Sequence, residues 1–214
     1  HELPRRGAPQ GTPVSAIDPT VPTAALPVGT PAPAFRLPSA QGPDVALADY
    51  RGRAVVLWFS RGLSCPFCRR HMAHLRLGYA AIRERGAEVL QVTWNSADEA
   101  RLYFRRHPLA FPYLCDPDLR VHAQYGVAVV APPLAAVART IVRSTAVVVA
   151  DRLLHGERTE SPGPLIRRIG FGRETGQAVY ILDRDGVIRR VFPAGSIGAI
   201  VSGSEIVRHL DALA

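Results

Sequence analysis

The sequence predicts an α/β chain whose sheet holds both a parallel pair and an antiparallel hairpin. Three observations predict it. The run from Ala54 to Ser60 is a buried strand that leads through the short loop Arg61–Ser64 into Cys65-Pro66-Phe67-Cys68, which opens a helix. A second strand, Glu88–Trp94, follows that helix, and a crossover of this kind makes the two strands parallel. Near the end, Ala178–Leu182 and Val187–Phe192 flank the turn Asp183-Arg184-Asp185-Gly186, the pattern of a hairpin.

Residues 1–27 are rich in Pro, Ala, Thr and Gly, cannot bury enough surface to make a core, and read as a flexible arm. Order is expected to begin in Val28–Leu37, with Phe35 and Leu37 on one face. Gln41-Gly42-Pro43-Asp44 is a turn, and Arg51-Gly52-Arg53 a tight turn into the first core strand. After the cysteines, Met72, Leu75, Tyr79 and Ile82 recur at intervals of three, four and three, one face of a helix that Gly86 stops. In Glu88–Trp94 the polar residues Glu88 and Gln91 are expected to point outward. Asn95 or Ser96 caps a helix running to about His107, and Phe111–Cys115 is a short extended piece. Asp116-Pro117-Asp118 caps a brief helix through Val121–Tyr125, which Gly126 ends. Ser202 or Ser204 caps a closing helix with Ile206, Val207, Leu210 and Leu213. A domain over 28–214 with an inserted segment at about 127–172 accommodates these pieces.

Composition narrows the function classes. The net charge is +8, and all 26 basic residues are arginine. They are scattered singly or in pairs with no interleaved aromatics, which argues against nucleic acid. The most apolar long stretch, Val127–Ala150, contains Pro132, Pro133, Arg139 and Arg143 and does not read as a membrane span. Three cysteines, two of them in C-x-x-C beside a strand–helix unit, read as a redox motif. A cytoplasmic location suits such a pair.

The physical reason lies in where the cysteines fall. Pro66 fits the first helical position, where its missing N–H costs nothing and its φ is already helical. Cys65 is then the N-cap, facing unpaired N–H groups and the positive end of the helix dipole, which lowers a thiol pKa. Arg61, Arg69 and Arg70 add positive charge on both sides. Zinc would need four ligands, and Cys65, Cys68 and His71 or His74 supply three at most. Covalent haem would need a histidine at 69, which is Arg69. Neither a metal nor any other cofactor is expected. Cys115 reads as a small, half-buried residue, and Trp58 as a core residue that lines the site.

In order and spacing the motifs resemble the alkyl hydroperoxide reductase/thiol-specific antioxidant family, the peroxiredoxin-like side of the thioredoxin superfamily. The residues that carry the resemblance are Gly29-x-Pro31-x-Pro33-x-Phe35-x-Leu37, Arg51–Leu57, Cys65-Pro66-Phe67-Cys68-Arg69, Phe111–Leu114 with Asp116-Pro117-Asp118, Tyr125-Gly126-Val127 and Ile181–Ile188. The resemblance implies a thioredoxin-like fold, a central mixed sheet flanked by helices, with the thiols at the start of the first long helix. Two departures are visible. The family's P-x-x-x-T-x-x-C places Arg61 and Cys65 in its Pro and Thr slots when laid on Cys68, and Trp58 and Gly62 there when laid on Cys65. The proline that thioredoxin-like proteins place opposite the thiols is missing from Arg173–Ala178, and Gln177 occupies about that position.

The resemblance implies an antioxidant thiol peroxidase. Cys65 is the expected nucleophile and Cys68 its resolving partner, although the family template also permits the reverse. Arg61, Arg69 and Arg173 are the expected thiolate-stabilising residues, and Trp58, Pro66, Phe67 and Gln177 line the site. The implied partners are a hydroperoxide and an external thiol reductant, either a thioredoxin- or glutaredoxin-like protein or a low-molecular-weight thiol. A homodimer is compatible with this reading, and neither nucleic acid nor membrane is expected as a partner. Two other readings stand beside it: a thiol–disulfide oxidoreductase acting on protein disulfides, and a non-catalytic binding module using residues 127–172.

Overall fold

In the computed structural model the described residues are 25–63, 65–127, 129–130, 174–194 and 201–213. The expected arm up to residue 24, nearly all of the expected insertion, and Arg173 lie outside them. The chain enters through the paired strands β1 (Arg36–Leu37) and β2 (Val45–Ala46) and a short 3-10 helix, Leu47–Tyr50. Strand β3 (Ala54–Phe59), helix α1 (Pro66–Glu84) and strand β4 (Ala87–Thr93) form the expected parallel crossover, with Val56 opposite Val89 and Phe59 opposite Val92. Helix α2 (Ala97–Phe104) leads to β5 (Tyr113–Cys115), which is parallel to β4, and then to α3 (Arg120–Gln124). Two-residue strands β6 (Val129–Val130) and β7 (Glu174–Thr175) pair with each other. The hairpin β8 (Gln177–Leu182) and β9 (Ile188–Ala194) and helix α4 (Gly203–Asp211) close the chain.

The central sheet runs β5-β4-β3-β8-β9, parallel on one side of β3 and antiparallel on the other. It is the mixed sheet of a thioredoxin-like fold. Every residue of β3 is buried, and its side chains alternate between two cores. Val56 and Trp58 pack with Cys68, Met72, Leu75 and Ile82 under α1. Val55, Leu57 and Phe59 pack with Tyr125, Tyr180 and Leu182 on the opposite face. The periodic face read from α1 is therefore the one it buries, and burying side chains of that size contributes roughly 2 kcal/mol each.

Strand β4 departs from the expected alternation. All seven of its residues are buried, because β4 lies inside the sheet between β3 and β5. Glu88 and Gln91 stay inside because they find partners there. Glu88 accepts from the Tyr79 hydroxyl at 2.6 Å and from the Arg83 guanidinium at 2.7 Å, while the Gln91 amide donates to the Ser60 hydroxyl at 2.8 Å. At the next helix Ser96, not Asn95, is the cap, accepting from the Glu99 N–H while the Glu99 carboxylate accepts from the Ser96 N–H. Asp116 anchors α3, accepting from the Arg120 and His122 N–H groups and bonding the buried His122 ring at 2.7 Å.

Candidate active site

Helix α1 begins where β3 ends, so the sequence between them decides what the helix terminus presents. Cys65 is its N-cap, with extended backbone (φ −85°, ψ 113°), and Pro66 follows at the first helical position. No acidic residue lies in the first turn, where one would offset the dipole's positive end. The N-cap sulfur makes no capping bond to the helix. Cys65 is half-buried, whereas Cys68, one turn in, has 0% exposure.

The surroundings of Cys68 are specific. Its thiol lies within hydrogen-bonding reach of the Cys65 sulfur and of Gln177 Oε1, the latter at 3.9 Å. Burial pushes the Cys68 thiol well above its ordinary pKa, and the Cys65 sulfur adds to that rise. The Arg61 main-chain N–H and the Arg61 charge act in the opposite direction. A fully buried thiol gains a charge only against the cost of leaving water, so these two contributions are what make its thiolate reachable.

The other expected site residues are distributed around this pair. Trp58 is fully buried under α1, with its ring edge-on to His71 at 4.6 Å and its indole N–H unpartnered. Gln177, at the start of β8, is buried and reaches Cys68 across the β3–β8 seam. Arg69 is half-buried in the first turn, and its N–H donates to the Cys65 carbonyl at 3.1 Å. Pro66 and Phe67 occupy the first two helical positions of α1, between the two cysteines in sequence. Cys115 belongs to the same core as Cys68 but is fully buried, not half-buried, and burial lifts its thiol to about 12.

Residues that pattern reasoning did not single out complete the site. Asn95 reads in the sequence as a helix cap, yet its side-chain oxygen accepts from the Leu63 N–H at 3.0 Å and from the Tyr113 hydroxyl at 2.8 Å. The Trp94 indole N–H donates to the Arg61 carbonyl at 3.2 Å. An Asn following a strand that ends beside the thiol loop was the available signal. The helix beginning at 97 absorbed it.

The geometry places a half-buried N-cap thiol one turn from a buried second thiol, where the central strand of a thioredoxin-like mixed sheet leads into its first long helix. The profile of the AhpC/TSA family matches residues 28–156. A Mycobacterium tuberculosis protein provisionally named a peroxiredoxin is 33% identical over 129 residues, covering 60% of this chain and 82% of that protein. The chloroplastic peroxiredoxin Q of Sedum lineare is 23% identical over 164 residues, 77% of this chain and 67% of the plant protein. Among solved structures, the peroxidoxin BcpB of M. tuberculosis superposes with a TM-score of 0.60 at 17% identity, covering 87% of this chain and 97% of that one. The reduced 2-Cys peroxiredoxin of Plasmodium vivax gives 0.60 at 19% identity, covering 86% and 94%. The chain belongs to the AhpC/TSA family, and its class is that of the peroxiredoxin-like thiol peroxidases. No helix among the described residues is long and apolar enough to cross a membrane.

Proposed function

We propose that the chain reduces hydroperoxides through its C-x-x-C pair, with Cys65 attacking and Cys68 resolving. The observation that carries this reading is the contrast between the two sulfurs: Cys65 is half-buried at the helix terminus, while Cys68 is sealed behind it. The Cys65 thiolate attacks one peroxide oxygen and the O–O bond breaks. The sulfur keeps that oxygen as a sulfenic acid, and the other leaves as an alkoxide that takes a proton to become the alcohol. The Cys68 thiolate then attacks the Cys65 sulfur, the S–O bond breaks, hydroxide leaves to become water, and the disulfide forms. An external thiol pair supplies two electrons and two protons and ends as its own disulfide.

The helix N-terminus and Arg61 favour charge on sulfur and on the leaving oxygen, and Arg69 adds to their field. Arg173 stands as a third contributor on sequence grounds alone. The proposed unit is a domain over 28–214 with its insertion at 127–172, working in a compartment, such as the cytoplasm, that keeps the pair reduced. A homodimer suits the reading, and light scattering tests it.

The test is peroxide consumption with a dithiol reductant. Cys65→Ser should abolish turnover, and Cys68→Ser should allow one oxidation per chain and hold the sulfenic acid. Wild-type turnover no faster than that of the double Cys→Ser variant removes the proposal. The adjacency of the two thiols also favours a thiol–disulfide oxidoreductase, and insulin reduction above background would support that reading.

A further inference from the structure

The loop residues Arg61–Leu63 lie between β3 and the dithiol, and two residues beyond the end of β4 hold them. Because β3 and β4 are parallel, their C-terminal ends lie side by side, which brings Trp94 and Asn95 against this loop. Asn95 is fully buried, and its carboxamide oxygen accepts from the Leu63 N–H, from the Tyr113 hydroxyl and, at 3.4 Å, from the Thr93 hydroxyl. Gly62, at φ +81°, packs so closely that a Cβ there would lie 2.5 Å from that oxygen. Beside the same glycine, the Trp94 indole N–H donates to the Arg61 carbonyl. The Gly62 carbonyl in turn accepts from the Cys65 N–H at 3.3 Å.

The nitrogen of the Asn95 amide is buried without a partner. An orphaned buried donor costs stability, so the carboxamide is not explained by stability alone. What its oxygen does is fix the peptide planes of a loop whose Arg61 N–H is directed at the Cys68 sulfur.

We propose that Asn95 and Trp94 are positioning residues for disulfide closure: by holding the Arg61–Leu63 backbone they keep the Arg61 N–H on the Cys68 sulfur as that sulfur attacks oxidised Cys65. The inference rests on the assignment of Cys65 as attacking and Cys68 as resolving. It adds that the two half-reactions depend on different parts of the loop. Oxidation of Cys65 draws on the helix terminus and on the side-chain charges of Arg61 and Arg69, not on the loop's backbone ties. Closure needs the Cys68 thiolate, which the loop N–H supports.

The two steps can be measured apart. Oxidation is read in a Cys68→Ser background by trapping the sulfenic acid after mixing with hydrogen peroxide. Closure is read in the otherwise intact chain by rapid acid quench, alkylation and mass spectrometry across a pH series. In Asn95→Ala and Trp94→Phe, oxidation should stay within about twofold of wild type, because the Pro66-led helix terminus and the arginine charges remain in place. Closure at neutral pH should slow about tenfold in Asn95→Ala, the loss expected for a hydrogen bond to a charged sulfur. It should slow about threefold in Trp94→Phe, which leaves the Asn95 tie in place. Both closure profiles should move to higher pH, a change that general destabilisation does not produce. Closure rates and profiles that overlie wild type would overturn the proposal, as would oxidation slowed by the same factor as closure. Should Asn95→Ala not fold, Trp94→Phe decides alone. Diamide closes dithiols without peroxide: one thiolate adds to its N=N bond and the second displaces the resulting hydrazine. If peroxide leaves the wild type unoxidised, the proposed function falls while the diamide comparison still tests the positioning role.

Discussion

The Cys68 thiol and the Gln177 side chain meet across 109 residues of sequence, with Gln177 Oε1 3.9 Å from the sulfur. The acceptor favours the protonated thiol and so acts in the same direction as burial. Gln177→Glu would place a carboxylate at this position, and a like charge disfavours the thiolate further. Disulfide closure in Gln177→Glu should slow severalfold and its pH profile should move upward. Gln177→Ala, which only removes the acceptor, should close no more slowly than wild type. Rapid-quench alkylation over a pH series checks both outcomes.

Cys115 should take no part in turnover. It is fully buried, and burial lifts its thiol to about 12, so it carries almost no thiolate at neutral pH. Iodoacetamide should modify it only after denaturation. Cys115→Ala should retain peroxide turnover while losing about 1 kcal/mol of stability, measured by urea unfolding.

His71 should make the fold acid-sensitive. Burial first, and then the neighbouring His74, hold its imidazole down at about 4, against an ordinary value of 6.5. The ring is therefore neutral at neutral pH. As pH falls from 6.5 towards about 4, the unfolded chain takes up a proton that the folded one does not. The associated stability is complete above that window and is lost through it, to a total of about 3 kcal/mol. His71→Phe keeps a ring against Trp58 and removes the proton. Its urea-unfolding free energy should fall less than that of wild type between neutral pH and about 4.

Gly62 tolerates no side chain. Its φ of +81° is left-handed, and a Cβ would stand 2.5 Å from Asn95 Oδ1. Gly62→Ala should cost about 2 kcal/mol or more in urea unfolding.

Much of this architecture can be read from the chain because local chemistry and tertiary demand agree. The Cys65-Pro66 pair fixes where α1 begins, and Met72, Leu75 and Ile82 fix which face it buries. The turn at Asp183–Gly186 fixes the hairpin, where Asp183 accepts from the Asp185 and Val187 N–H groups. The reading fails where a residue's role is set by a neighbour distant in sequence. Glu88 and Gln91 look solvent-facing in an alternating strand, yet side chains from α1 and Ser60 satisfy them inside. Asn95 resembles a helix cap, because nothing in its own neighbourhood reveals that Leu63 and Tyr113 converge on it. Family resemblance puts Gln177 near the thiols, but its contact with Cys68 depends on the pairing of β8 with β3.

The position of β3 in the sheet also bears on how the protein is made. Phe59 pairs with Val92 on one edge and with Ala178 on the other. During synthesis the first edge can be satisfied early, while the second must wait for more than half of the chain to emerge. Until then β3 presents unpaired backbone groups and the apolar side chains of Val55, Leu57 and Phe59, a template for association with other nascent chains. Such long-range pairing is slow to form. The surroundings of Cys68 are thus completed late: a ribosome-bound fragment ending before β8 would carry both cysteines of the motif but would lack the glutamine that reaches Cys68.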